Sequence, residues 1–248
     1  MQKNVGDSVV LLGDSWLIEK RFKSFRYSDK VEKGIDLTPH SYREKKFIES
    51  KNLSRGGLTW DKLIRDSNLM TSWVEQKPKV TVVHASACEV VNKSFEFAND
   101  ISEGKCYADR LEEHINELSG FARQQMTPQV FQLWNHQHRF VIPVLPDWGE
   151  FQQHRPNSLT SEEYRKTRSR INKVLREKAI KFWVNNKALI ISPHMEKAMF
   201  NGVHLSEMDQ EKFNKQIVQG ISSVLCDLCA LTKESDKEIL KLALKSKC

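Results

Sequence analysis

The chain has little of what marks a disulfide-rich, membrane-spanning or repetitive protein. Its 248 residues hold only 5 cysteines, 10 glycines and 7 prolines. The cysteines (Cys88, Cys106, Cys226, Cys229 and Cys248) are odd in number and unevenly spread, which argues against a disulfide framework. Cys226 and Cys229 make a lone C-x-x-C inside an apolar helical pattern. A zinc site would want a second pair at similar spacing, and the sequence has none, so the two read as small packing residues. No apolar run reaches membrane-spanning length. The segment before Val9 is largely polar, and Val9 to Leu12 is too short for a signal-peptide core. A cytosolic or nuclear location is expected, with no membrane partner. Neither sign of charge dominates: 39 Lys and Arg against 32 Asp and Glu leave +7. That excess permits an anionic partner without demanding one.

What is present is an ordinary globular composition, 39% hydrophobic and 29% charged. The length suits one full α/β domain. Four short apolar runs read as strands: Val9–Leu12, Val80–Val83, Phe140–Leu145 and Ala188–Ile191. A fifth, weaker signal lies near Lys45–Ile48. Helical periodicity covers Tyr107–Gln125, Ser161–Phe182 and Met208–Leu231. Strands alternating with helices predict a three-layer α/β/α sandwich around a mostly parallel five-stranded sheet, flavodoxin-like in type. One domain over residues 1–231 and a charged tail over 232–248 are expected. The connections Glu19–Lys46, Glu89–Lys105 and Leu145–Thr160 read as long loops.

Val9-Val10-Leu11-Leu12-Gly13-Asp14-Ser15 runs a buried strand into a glycine, an acid and a serine. The C-terminal ends of strands are where open α/β sheets place their ligands, so Ser15 is a candidate nucleophile. It also fits the N-cap of a following helix. A nucleophilic serine needs a base. Of eight histidines, His40, His114, His136, His138 and His154 read as surface or loop residues. His204 sits in a turn between the last strand and the last helix, at the same sheet edge as Ser15; taken alone it also reads as an ordinary turn histidine.

Gly13-Asp14-Ser15 near the N-terminus and Gly202-Val203-His204-Leu205 near the C-terminus resemble the first and last blocks of the SGNH (GDSL) hydrolases. Arg55-Gly56-Gly57-Leu58 resembles the second block, and Val82-Val83-His84-Ala85-Ser86-Ala87-Cys88-Glu89 the strand leading into the third. The resemblance spans about Ser8 to Leu231. It implies an esterase in which Ser15 attacks an acyl ester, His204 is general base and the Gly57 N–H donates to the oxyanion, with no metal or cofactor required. Three positions depart from the pattern. Cys88 stands where the family carries its oxyanion asparagine, and Ser86 where the block's glycine belongs; either would fill the weakened donor position. Asn201 stands where the family carries the aspartate that orients the histidine. A thiol is a weak donor, and losing one oxyanion donor costs about 10²–10³ in rate. An amide in place of the orienting carboxylate costs about 10⁴ in a serine protease. The resemblance therefore implies a weakened esterase, or a pseudo-hydrolase that binds RNA or a protein partner.

The second possibility has its own residues. Arg165, Arg168, Lys173 and Arg176 form a basic stripe on one predicted helix, and Lys23 and Arg26 interleave with aromatics after the first strand. Such residues suit phosphate contact and base stacking. They equally suit a solvated surface.

Overall fold

The protein is described from a computed structural model, which covers residues 8–18, 25–27, 33–36, 47–92, 105–152, 156–193 and 203–227. The strands are β1 (Ser8–Gly13), β2 (Phe25–Tyr27), β3 (Lys33–Asp36), β4 (Phe47–Asn52), β5 (Val80–His84), β6 (Arg139–Pro143) and β7 (Ala188–Ile191). The helices are α1 (Trp60–Arg65), α2 (Ser67–Glu75), α3 (Ala87–Asn92), α4 (Lys105–Gln125), α5 (Pro128–Gln137), α6 (Ser161–Glu177), α7 (Ala179–Asn186) and α8 (Glu207–Asp227).

The strands form one sheet in the order β2-β3-β4-β1-β5-β6-β7. Five of them, β4-β1-β5-β6-β7, are parallel, as expected. β1 is apolar at every position from Val9 to Leu12 because strands lie on both sides of it and helices cover both faces. Alternation along β6 identifies the two layers. Phe140 meets Trp73 of α2 and His138 at the end of α5, whereas the next residue, Val141, lies 3.3 Å from where a Cβ on Gly220 of α8 would stand. Chain connections leave β1 toward β4 on one side and β5 on the other. The crevice at the C-terminal end of β1 is thus the topological switch point of the sheet.

Three differences from the sequence reading stand out. The basic segment read as a loop between Glu19 and Lys46 contains β2 and β3, which extend the sheet beyond β4, with β3 antiparallel to β4 and β2 antiparallel to β3. The predicted helix over Ser161–Phe182 is two helices, broken at Lys178, although no glycine or proline lies between Ser161 and Asn186. The break lets Ala179, Phe182 and Trp183 bury themselves, with α7 packed on β7. His114 and His138, read as surface residues, are 2% and 3% exposed. The predicted C-terminal tail lies outside the described residues. Among the described residues no helix is long and apolar enough to cross a membrane.

Candidate active site

The site begins with a glycine that has no room for a side chain. A Cβ on Gly13 would stand 2.8 Å from Leu17 Cδ1 and 2.9 Å from the backbone oxygen of His84. The Asp14 N–H donates to that same oxygen at 2.8 Å, so β1 and β5 are closest here. Asp14 then turns the chain: its Oδ1 accepts from Trp16 N–H at 3.0 Å, and its carbonyl accepts from Leu17 N–H at 3.2 Å. The turn sets Ser15 beyond the strand end, half-buried.

Asp14 also holds His84. Its Oδ1 lies 2.9 Å from His84 Nδ1, and both side chains are buried. The imidazole stacks on Trp16 and meets the edge of Phe213 from α8. The acid of the Gly13-Asp14-Ser15 turn is therefore committed to His84, behind the serine. No reading of the sequence paired these two residues; the signal was a buried strand ending in histidine beside a strand ending in Gly-Asp.

Ser15 Oγ lies 2.9 Å from His204 Nε2. The histidine is set by the start of α8. Leu205 is buried, and the Ser206 hydroxyl donates to Asp209 Oδ2 at 2.7 Å while accepting from Asp209 N–H. One turn on, Gln210 Nε2 donates to Trp16 O at 3.1 Å, binding α8 to the Ser15 turn. Asn201 lies outside the described residues.

The loop after β4 reaches the same edge. Leu53 N–H donates to Leu11 O and Arg55 N–H to Gly13 O, both at 2.8 Å. Gly57 follows with φ +69°, a left-handed conformation that glycine adopts without strain. Among the described residues, neither the Ser15 N–H nor the Gly57 N–H has a hydrogen-bond partner. A cleft of about 470 Å³ opens beside Gly57, lined by Arg55, Asp61, Lys62 and Arg65 among others.

Cys88 and Ser86 complete the expected set, with different fates. Cys88 is half-buried in α3, and burial, with the nearby Asp14 carboxylate, pushes its thiol up to about 12. It stays a neutral, weak donor. The Ser86 hydroxyl, expected with Cys88 as a stand-in oxyanion donor, accepts from Trp60 Nε1 at 2.8 Å in a buried contact. Beside Trp60, burial raises the carboxyl of Glu89 to about 7.

The basic stripe lies on α6. Arg165 pairs with Glu150 at 2.7 Å, and Arg168 pairs with Asp147 at 3.1 Å. Lys173 is exposed and Arg176 half-buried. Arg26 falls in β2, with its side chain outside the described set, and Lys23 lies outside altogether.

No protein-family model matches the chain, and no curated protein matches it. Solved structures do. A gut microbial diltiazem-metabolizing enzyme aligns at 17% identity and a TM-score of 0.51, over 87% of this chain and 47% of that one. A GDSL-like lipase from Bacteroides thetaiotaomicron aligns at 12% identity and a TM-score of 0.49, over 87% of each chain. An acetylxylan esterase from Geobacillus stearothermophilus aligns at 14% identity and a TM-score of 0.45, over 89% of this chain and 96% of that one. At such identities the likeness is one of fold alone.

Proposed function

We propose that the chain is a serine acyl hydrolase of SGNH type, cleaving carboxylic esters. The observation that carries this reading is the 2.9 Å contact between Ser15 Oγ and His204 Nε2, within reach for proton transfer from nucleophile to base. Ser15 Oγ attacks the ester carbonyl as its proton passes to Nε2. The unpartnered N–H groups of Ser15 and Gly57 stabilise the oxyanion. Collapse of the tetrahedral intermediate expels the alcohol, which takes the proton from His204. A water deprotonated by the same imidazole then releases the acid and restores Ser15.

The weak members of the set lower the rate. The Cys88 thiol offers little to the oxyanion. Asn201 would orient His204 without stabilising its charged form. Binding of RNA or a protein partner through the basic face has less support, because Arg165 and Arg168 already face acids.

Labelling by a fluorophosphonate probe and hydrolysis of p-nitrophenyl acetate test the proposal. Both are expected of the parent and lost in Ser15→Ala. A Ser15→Ala protein that labels and turns over like the parent overturns it. Cys88→Asn with Asn201→Asp should raise turnover by about 10² or more.

A further inference from the structure

Beside the Gly57 cleft, which Asp61 helps to line, three helices bring together an aspartate, a glutamate and a histidine that the esterase chemistry does not use. We propose that Asp61 of α1, Glu89 of α3 and His114 of α4 form a binding site for a divalent first-row transition-metal ion of the zinc class.

A donor atom from each residue lies within 4.8 Å of the other two. Ligands on one such ion stand about 2.0–2.2 Å from it, and so about 3.3–3.6 Å from one another in a tetrahedral set, which side-chain approach of up to about 1.5 Å would reach. Two of the three side chains are almost wholly buried and incompletely satisfied. Glu89 is 2% exposed, and its Oε1 accepts from Asp61 N–H at 3.2 Å, but its Oε2 has no partner. His114 is 2% exposed, and its Nδ1 lies 3.0 Å from Glu117 Oε2, but its Nε2 has no partner. A buried polar atom without a partner destabilises the fold, and a bound cation would satisfy both of these at once.

The orientation of each group fits that role. Glu117 accepts from the Nδ1–H of His114, which leaves the Nε2 lone pair as the ligand. This carboxylate–histidine arrangement is the one that supports metal-binding imidazoles. The Trp60 ring stacks on His114 at 5.3 Å and 7°, fixing the plane of the imidazole. Asp61 is 39% exposed and provides the entrance. Its nearest cation, Arg110, stands 3.6 Å away but only 2.9 Å from Glu113, so the guanidinium has its own carboxylate. One imidazole with two carboxylates favours a transition ion over magnesium or calcium, which prefer all-oxygen sets. Three protein ligands leave a coordination position open to solvent. The site would clamp α1 and α3 to α4.

Metal-stripped full-length protein is dialysed against Zn²⁺ and its retained metal is counted. One equivalent is expected, together with a rise in Tm of about 5 °C or more at 100-fold excess over Kd. Glu89→Gln and His114→Gln should each lower the affinity at least 100-fold and abolish the rise. Asp61→Asn, at the half-exposed position where misfolding is least expected, should lower affinity about 10-fold, as should Glu117→Gln. Retention of less than one equivalent by the parent overturns the proposal. So does undiminished binding in Asp61→Asn and Glu89→Gln. The Ser15 reading stands or falls separately, since none of these readouts is turnover.

Discussion

Two pairings of histidine with carboxylate lie at the same depth in this molecule and are finished to different extents. Behind Ser15, Asp14 and His84 touch at 2.9 Å, with aromatic rings on both sides of the imidazole, and of their buried side-chain atoms only Asp14 Oδ2 has no partner. Beside Trp60, Glu89 and His114 are as deeply buried, and both residues keep an atom with no partner. The first pair, closed by its own contact, ties β1 to β5 under the serine turn, and its work is structural. The open pair has an orphaned atom on each member, with Trp60 and Glu117 set around the imidazole. Residue type and burial alone therefore do not tell a strut from a binding site; where the orphaned atoms fall does.

The strongest way to break the comparison is to remove one member of the closed pair. Asp14→Ala strands the His84 Nδ1 and the Trp16 N–H in the core. A loss of about 3–5 kcal/mol is expected in urea unfolding. A loss below about 1 kcal/mol would mean that the pair is not the strut of the turn.

The open cluster should respond with the opposite sign. In metal-free protein, Glu89 holds its proton up to about pH 7, whereas an unfolded glutamate releases it near 4.5. Between those values the folded state binds more protons than the unfolded one. Stability therefore falls as pH rises through that window, by about 3 kcal/mol in all. Glu89→Gln should remove that slope and leave the variant more stable than the parent at pH 8. Unfolding curves at pH 5 and pH 8 check it; an unchanged slope would show that Glu89 does not carry the dependence.

The two regions also differ in how far the chain announced them. The serine end was legible because its parts are local: a strand of Val and Leu, a glycine forced by close approach, and a histidine in the turn before the last helix. Four of the five parallel strands were legible for the same reason, since burial on both faces leaves an uninterrupted apolar run; β4, with Glu49 and Lys51 inside it, carries a weaker one. β2 and β3 were not, because strands of three and four residues set among lysines and arginines carry too short a pattern. The open cluster could not be assembled from sequence, since its residues come from three helices and meet only in the fold. One piece was within reach. His114 falls on the stripe Leu111, Ile115, Leu118 and Ala122, which marks the buried face of α4. Reading it as a surface residue ignored that spacing. The contact that Ser86 makes was equally out of reach, because its hydroxyl accepts from the Trp60 indole, 26 residues away in the chain.

A third buried histidine shows what closure by a neutral partner does. The Thr81 hydroxyl accepts from Trp73 Nε1 at 2.9 Å and lies 2.8 Å from His138 Nε2. The imidazole stacks on Trp134. Burial holds its pKa well below the usual histidine value, with Arg139 and Lys187 acting in the same direction. The unfolded chain takes up a proton near pH 6.5 that the folded chain refuses. The stability this histidine contributes is complete above that pH and is lost as pH falls, at up to about 1.4 kcal/mol per unit. By NMR, the His138 ring resonances should stay at their neutral positions from pH 8 down to the onset of acid unfolding. A titration step near 6.5 in folded protein would show that burial against neutral partners does not hold the ring neutral.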